Sequence, residues 1–294
     1  MATASQRGWE RTDAPQRPVL FINPRSGGGR AGRAHLAGAA RARSIESVVL
    51  QPGDDLGGLA EEAAASGADA LGMAGGDGSL AAVASIATAH GLPFVCVPAG
   101  TRNHFARDLG LDPNDLIRAL GAFADALERR IDLGDVNGRV FLNNVSLGVY
   151  GAAVQRESYR DAKARTLLET AAAGLGPSAE GPSAELPGVR LADDRGVLHT
   201  DPALVLVSNN PYALHRPARS RMRATLDSER LGVLVLFRAA RPPRPPGRAW
   251  TARSLDVAAA GPIAAGVDGE AIQLPPALRF TIRPRALRVR ITRP

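Results

Sequence analysis

The sequence predicts an α/β fold in which the first part holds a parallel sheet and the second part is mostly antiparallel β. In the first 130 residues, short apolar strands alternate with helical segments of about 10–15 residues, a pattern typical of βαβ units. From about residue 131 onward, short strands follow one another with turn signals between them. The chain has 294 residues, of which 45% are hydrophobic, so it can form two domains with buried cores.

The first part contains four predicted strands and three predicted helices, after a flexible tail over 1–17. The strands cover 18–23, 44–51, 68–75 and 92–100, and the helices cover 30–43, 54–67 and 79–91. The second helix begins with two acidic residues and ends at Gly67, as expected from the helix dipole and from C-terminal capping. This alternation places the four strands in one parallel sheet.

The second part contains five predicted strands. They cover 139–149, 203–210, 230–237, 254–260 and 278–284. One helix is predicted over 152–172, and the Gly/Pro/Ser/Ala-rich stretch 174–188 is predicted to be a flexible loop. Strands that succeed each other without intervening helices indicate antiparallel pairing.

Composition and charge narrow the possible partners. The formal charge is +7, and residues 201–294 hold sixteen arginines against six acidic residues, which favours an anionic partner such as a phospholipid surface. A solvated arginine-rich surface is the alternative. No nucleic-acid partner is expected, because the sequence lacks aromatic residues interleaved with basic ones and lacks helix-turn-helix or zinc spacing. Cys96 is the single cysteine, which excludes a disulfide framework. With no signal peptide and no transmembrane segment, a cytoplasmic location is expected.

Three polar loops follow predicted strands of the parallel sheet. The first, 23–33, reads NPRSGGGRAGR; its glycines allow an anion to approach the backbone at a helix start, although it lacks the Lys-Ser/Thr of a P-loop. A plain structural turn is the alternative for this loop. In the second, 75–79, three glycines surround Asp77, which could bind Mg²⁺, and Ser79 supplies a hydroxyl. The third, 98–111, carries Thr101 and Asn103. Open α/β sheets bind ligands at this edge, so together the loops predict a site for nucleotide phosphates.

Five segments occur in the order and spacing of one known family. They are NPRSGGG, GGDGSLAAV, VPAGTRNHFARDLGL, LNNVSLGV and VDGE. In these segments the chain resembles the diacylglycerol kinase catalytic family, which includes bacterial lipid kinases and sphingosine kinases. The resemblance implies a Rossmann-like α/β nucleotide domain over 18–130, rejoined by the end of the chain, and a C-terminal antiparallel β-sandwich lipid-substrate domain over 131–294.

The resemblance also implies roles for individual residues. Glu270 would be the general base that removes a proton from a lipid hydroxyl, and Asp268 would orient it or help hold Mg²⁺. Asp77 would hold the Mg²⁺ that accompanies ATP. The residues expected to line the ATP site are Asn23, Pro24, Arg25, Ser26, Gly27, Gly75, Gly76, Asp77, Gly78, Ser79, Gly100, Thr101 and Asn103.

The implied activity is that of an ATP- and Mg²⁺-dependent lipid kinase in phospholipid metabolism. It would phosphorylate a hydroxyl of diacylglycerol or a related lipid, attached peripherally to the inner membrane face. An enzyme similar to NAD kinases, which share the GGDG turn, is the alternative, and PAGTRNHFARDLG favours the lipid kinases. A non-catalytic nucleotide- or lipid-binding member of the fold is a further alternative.

Some positions depart from the family pattern or have a second interpretation. Arg102 stands where the family has glycine, and it either contacts a phosphate or narrows the pocket. Ser228 and Glu229 replace an acidic pattern that binds a structural Mg²⁺ in many bacterial members, so the sequence leaves open whether that metal site exists here. His104 is expected to play a loop or helix-capping role. Asn209 and Asn210 either face the cleft or bond within a turn. The candidates for contact with anionic lipid heads are Arg216, Arg219, Arg221 and Arg223.

Overall fold

The computed structural model of the chain describes residues 8–148, 186, 188–200, 202–213, 223–237 and 247–293. The chain divides into two compact units. The parallel unit comprises Met1–Ile131 and Pro284–Pro294, and the sandwich unit comprises Asp132–Arg283. The predicted helix over 152–172 and most of the predicted loop over 174–188 lie outside the described residues.

In its described residues, the parallel unit contains five short strands, six α-helices and the ends of two longer strands. The strands are β1 (Glu10–Thr12), β2 (Pro18–Ile22), β3 (Glu46–Val49), β4 (Ala70–Ala74), β5 (Pro93–Val97) and the first part of β6 (Ala126–Val136). The helices are α1 (Arg30–Arg33), α2 (Leu36–Arg41), α3 (Leu56–Ala65), α4 (Asp77–Ala89), α5 (His104–Asp108) and α6 (Leu116–Ala119).

The predicted parallel sheet is confirmed. β2 lies between β3 and β4, β4 pairs with β5, and all of these pairs are parallel. Every residue of β2, β4 and β5 is buried, which explains why these strands are uniformly apolar rather than alternating. The helix predicted over 30–43 is instead two short helices that are separated at His35, whose φ is +48°. Gly32 and Gly38 lower the helix propensity of this segment.

The N-terminal segment is more ordered than the predicted flexible tail. β1 pairs antiparallel with β6, with Glu10 opposite Glu128. The Asp69 carboxylate also accepts hydrogen bonds from the backbone N–H of Gln16 at 2.6 Å and of Arg17 at 2.9 Å. Sequence reasoning missed this order because both partners lie more than fifty residues away along the chain.

The sandwich unit consists of strands in the residues that the structure describes. They are β7 (Arg139–Phe141), β8 (Asn144–Gly148), β9 (Arg190–Asp193), β10 (Leu198–Thr200), β11 (Pro202–Asn209), β12 (Leu231–Phe237), β13 (Gly247–Ala252), β14 (Ser254–Ala258), β15 (Ile263–Val267), β16 (Glu270–Leu274) and the first part of β17 (Leu278–Thr292).

Two antiparallel sheets enclose the core of the sandwich unit. One has the order β13-β12-β11-β8-β15-β16, and the other contains β10-β9-β14-β17. Val145 and Val205 of the first sheet belong to the same buried cluster as Leu255 and Phe280 of the second. The predicted antiparallel β-sandwich is therefore confirmed.

The largest differences from the predicted strand bounds occur at two places in the second part of the chain. The segment predicted as one strand over 139–149 is β7 and β8 with a turn between them. The strand predicted over 278–284 continues to Thr292. Its first residues pair antiparallel with β14 in the sandwich unit, and Arg288–Arg290 pair in parallel with β5 in the parallel unit.

Candidate active site

The first polar loop of the parallel unit follows β2 and is shaped by glycines. Asn23, the first residue of this loop, is held by two hydrogen bonds. Its backbone N–H donates to the carbonyl oxygen of Ala74, and its Oδ1 accepts from the N–H of Arg25 at 3.1 Å. Gly27, Gly28 and Gly29 then have φ values of +57°, +68° and +87°. Three successive left-handed residues are accessible to glycine at little cost, which explains the GGG sequence.

The three loops that follow β2, β4 and β5 contact one another. A Cβ atom added to Gly27 would lie 2.4 Å from the carbonyl oxygen of Ala99. A Cβ added to Gly100 would lie 2.7 Å from the Cα of Gly76. These approaches exclude any side chain, so the glycines are required by the packing of the loops themselves. The structure thus brings together the loops that hold the thirteen predicted ATP-site residues.

Arg30, at the start of α1, is a residue of this region that sequence reasoning missed. Its guanidinium donates to the carbonyl oxygen of Gly100 at 3.3 Å and to that of Pro113. It therefore fixes the third loop to the helix that follows the first loop. In a chain with so many arginines, no sequence signal distinguishes this one.

Asp77 begins α4 and is buried. Its two carboxylate oxygens face the start of α5, each 3.4 Å from a backbone nitrogen, one of His104 and one of Phe105. Burial raises the pKa of the Cys96 thiol, and the Asp77 charge adds to this effect. Because its oxygens face these two N–H groups, the Asp77 carboxylate stabilises the start of α5. Its carboxylate still has acceptor capacity for Mg²⁺ or a metal-bound water, since a carboxylate offers about four lone-pair positions.

Asn103 presents an unpaired acceptor at the same place. The residue is 2% exposed and has a φ of +53°, and its Nδ2 donates to the carbonyl oxygen of Gly100 at 2.8 Å. Its Oδ1 is buried and has no hydrogen-bond partner among the described residues. A buried acceptor without a partner costs about 1–3 kcal/mol, so this atom indicates a missing donor or cation.

The neighbours of Asn103 in the third loop differ in exposure and in charge. Thr101 is exposed and Arg102 is half-buried. Burial lowers the pKa of His104; the Asp77 charge opposes this effect, and the Arg102 charge adds to it. Arg102 therefore lies close enough to His104 to disfavour its protonated form.

In the sandwich unit, Asp268 fixes the turn between β7 and β8. It is 9% exposed, and its carboxylate accepts hydrogen bonds from the backbone N–H of Leu142 and Asn143 at 2.7 Å and of Asn144 at 3.1 Å. Its own N–H donates to the carbonyl oxygen of Asn144. Three charge-assisted bonds to one carboxylate make Asp268 a structural anchor of this turn.

Glu270 lies two residues further on and has a different environment. It begins β16, and 51% of its side chain is exposed. Its Oε2 lies 3.2 Å from Nη2 of Arg139, whose side chain is 48% exposed. Sequence reasoning missed Arg139, because the two residues are 131 positions apart. The structure leaves the Glu270 carboxylate accessible to a reactant.

The prediction that Arg223 contacts lipid heads is wrong. Arg223 is 1% exposed, and its guanidinium donates to the carbonyl oxygens of Leu142 at 2.6 Å and Asn209 at 2.8 Å. It is buried because these backbone acceptors, in the turn after β7 and at the end of β11, need donors. Arg216, Arg219 and Arg221 lie outside the described residues.

Asn209 and Asn210 are also buried and bonded within the sandwich unit. Asn209 donates from Nδ2 to the carbonyl oxygen of Asp132 at 3.0 Å, and Asn210 accepts from the N–H of Ser228 at 2.7 Å. Ser228 thus completes a protein hydrogen-bond network. No group of three or more His, Cys, Asp and Glu side chains in the described part of the chain could hold a metal ion.

Membrane-spanning helices are missing from the described residues, where no helix has the length and apolarity needed to cross a bilayer.

A parallel sheet with three contacting glycine loops, joined to a β-sandwich, is an architecture that can bind a nucleotide at the loops. The diacylglycerol kinase catalytic domain family matches residues 17–136. This part of the chain is therefore similar to that family. The match covers the loops after β2, β4 and β5 and ends at the last residue of β6.

Curated relatives resemble the same part of the chain. A protein of Pseudomonas aeruginosa described as "probable lipid kinase YegS-like" is 36% identical over 148 residues, which is 49% of this chain and 48% of that protein. The diacylglycerol kinase of Mycobacterium tuberculosis is 34% identical over 122 residues, which is 40% of each chain. The alignments thus span about half the length of these relatives or less.

Solved structures share the fold over nearly the whole chain. Two crystal structures from Bacillus anthracis str. Sterne, one of them described as a diacylglycerol kinase, align with TM-scores of 0.70 and 0.63. Each covers 96% of this chain and 99% of the other, at 18% identity. At this identity the likeness establishes the fold of both units.

Proposed function

We propose that this protein is an ATP- and Mg²⁺-dependent kinase that phosphorylates a hydroxyl of diacylglycerol or a related lipid. The observation that carries the proposal is the contact between the three loops of the parallel unit. They present left-handed glycines, the Asp77 carboxylate and the Asn103 Oδ1, which has no partner in the described part of the chain, in one small region. Phosphoryl transfer depends mainly on positioning and on neutralising phosphate charge, which backbone N–H groups in glycine loops supply.

The residues present are compatible with a Mg²⁺ ion that accompanies ATP. Mg²⁺ takes oxygen ligands and usually keeps several waters. Asp77 supplies a carboxylate and Asn103 supplies an amide oxygen that lacks a partner in the described residues. When bound, the ion would neutralise negative charge on the phosphates.

Glu270 is proposed to act as the general base. In that role its carboxylate takes the proton of the acceptor hydroxyl, the oxygen bonds to the γ-phosphorus, and the bond to the ADP oxygen breaks. The exposure of Glu270 supports this role, because a general base must reach its proton within hydrogen-bonding distance. Asp268 is proposed to act indirectly: its bonds to the turn between β7 and β8 hold in place the turn from which Glu270 follows.

The proposal is tested by measuring ATP consumption with Mg²⁺ on mixed micelles of diacylglycerol, monoacylglycerol, ceramide or sphingosine, with NAD as a soluble acceptor. We expect turnover with one lipid class. Glu270→Gln should lower this turnover by at least about a hundred-fold, the usual contribution of general-base catalysis. Turnover with NAD alone would assign the protein to the NAD kinase alternative, and ATP binding without turnover on any acceptor would indicate a non-catalytic member.

Asp256→Asn is the matched control for Glu270→Gln. Asp256 is also an exposed carboxylate of the sandwich unit with an arginine nearby, 3.9 Å from Arg279. The control should retain the activity of the unmodified protein. An equal loss in both variants would contradict a specific role for Glu270.

A further inference from the structure

The turn between β9 and β10 exposes two neighbouring apolar side chains. Val197 is 44% exposed and Leu198 is 59% exposed. Among the described residues, Val49 is the one other large hydrophobic residue in this exposure range, at 37%. Adjacent aliphatic residues at the tip of a hairpin are costly in water, so they suggest contact with an apolar phase.

This turn is held in a defined shape. Oδ1 of Asp193 accepts hydrogen bonds from the backbone N–H of Arg195 and of Val197, both at 3.0 Å. Gly196 adopts a φ of +74° and donates its N–H to the carbonyl oxygen of Asp193. These hydrogen bonds hold the turn that exposes Val197 and Leu198 in a defined conformation.

A cavity of about 280 Å³ adjoins the turn, and its lining includes Arg195, Val197, His199, Arg248 and Trp250. β10 and β13, which carry His199 and Trp250, are edge strands of the two sheets. The rings of His199 and Trp250 are stacked with centroids 4.6 Å apart. The indole Nε1–H of Trp250 is buried and has no acceptor among the described residues.

Two cations flank this cavity. Arg195 and Arg248 are exposed and form no ion pair with the described residues. The nearby carboxylates have other partners: Asp193 braces the turn, and Asp194 accepts from the backbone N–H of Arg253 at 2.7 Å and lies 3.7 Å from Arg230. The surface thus combines exposed aliphatic side chains, two exposed cations without an ion pair in the described residues, and an aromatic ring.

We propose that the β9–β10 turn and the neighbouring part of β13 form a docking surface for an anionic phospholipid bilayer. Val197 and Leu198 enter the acyl region, Arg195 and Arg248 contact headgroup phosphates, and the half-buried indole ring of Trp250 lies at the interface. This inference rests on the proposed lipid-kinase function, for which it identifies the surface that brings the protein to its substrate.

The first test is co-flotation of the full chain with vesicles of phosphatidylcholine, with and without phosphatidylglycerol. We expect binding to the anionic vesicles only. Arg195→Gln combined with Arg248→Gln should weaken binding by about five-fold for each charge removed. Val197→Ser combined with Leu198→Ser should weaken it by about ten-fold or more.

The matched controls lie in the parallel unit. Val49→Ser removes an exposed aliphatic side chain, and Arg41→Gln combined with Arg43→Gln removes two exposed cations. Both controls should bind vesicles like the unmodified protein. Equal losses in the controls and in the turn variants, or no binding of the unmodified protein to anionic vesicles, would overturn the docking surface.

Fluorescence reports the location of contact. The chain has two tryptophans, so Trp9→Phe leaves Trp250 as the sole emitter. Anionic vesicles should shift its emission to the blue, and this shift should be lost in the turn variants. An unchanged emission while the protein floats with vesicles would place docking elsewhere.

Activity on a water-soluble short-chain diacylglycerol separates the two proposals. The turn variants should keep this activity and lose activity on vesicle substrate. Vesicle binding through the turn without phosphorylation of any lipid would leave the docking surface standing and reject the kinase. If the protein phosphorylates the soluble substrate and the turn variants bind vesicles normally, the kinase proposal stands and the docking surface is rejected.

Discussion

The glycine loops of the parallel unit and the Asp268–Glu270 turn of the sandwich unit are built by different physical means. In the loops, the absence of side chains lets three backbone segments approach to distances that a Cβ would block. In the sandwich unit, the buried Asp268 carboxylate binds three backbone N–H groups of the turn between β7 and β8. A short motif can therefore allow close backbone packing in one unit and supply a charged hydrogen-bond acceptor in the other. Substitutions should destabilise the protein by steric clash in the loops and by loss of hydrogen bonds at Asp268.

The largest effect is expected from Gly27→Ala, with Gly28→Ala as its control. Both glycines have positive φ, so each alanine costs about 1 kcal/mol from the backbone. Gly27→Ala also forces a clash with the carbonyl oxygen of Ala99, whereas nothing lies within 4 Å of a Cβ at Gly28. Gly27→Ala should lower the free energy of unfolding by about 3 kcal/mol in total. Urea denaturation checks this, and equal losses would show that close approach of the loops is unimportant.

Asp268→Asn should lower the free energy of unfolding by about 2 kcal/mol. The amide replaces one carboxylate oxygen with an N–H₂ group, so at least one backbone N–H loses its acceptor and the others lose a charged partner. Asp256→Asn, at an exposed position, should change it by less than about 0.5 kcal/mol. Thermal unfolding of both variants measures the difference, and a stable Asp268→Asn protein would refute the anchoring role.

Arg139→Gln should have a smaller effect on stability, below about 1 kcal/mol, because its ion pair with Glu270 is half-exposed and screened by solvent. If Arg139 also positions Glu270, Arg139→Gln should lower lipid phosphorylation without lowering the free energy of unfolding further. Turnover and urea denaturation of the same variant separate these outcomes. Arg139→Lys, which keeps the charge, should restore turnover in that case.

The smallest expected effect is a pH dependence in the sandwich unit. Burial lowers the pKa of His199, the Arg248 charge lowers it further, and Asp193 opposes both. The folded state therefore binds a proton less readily than the unfolded state, and stability should fall as the pH drops below about 6.5. His199→Phe, which keeps a ring against Trp250, should reduce this fall. Unfolding midpoints at neutral and acidic pH check it, and an unchanged acid dependence would contradict the prediction.

The candidate site could be predicted only in part. The three loops follow directly from glycine-rich segments after apolar strands, because parallel strands bring their carboxyl ends to one edge. Arg30 and Arg139 could not be found in this way, since each resembles every other arginine in the sequence. Arg223 was assigned to the surface from its charge, whereas unsatisfied backbone carbonyls bury it.

Sequence reasoning alone predicts the two kinds of sheet and the positions of the glycine loops. These depend on local properties: uniformly apolar strands, alternation with helices, and the conformational freedom of glycine. Only the tertiary structure explains why the Asp268 carboxylate is buried against the turn between β7 and β8, whereas Glu270, two residues later, is exposed. The backbone groups that bind Asp268 lie 124 to 126 residues away, and such distant pairing depends on the folding of the whole sandwich rather than on any local pattern.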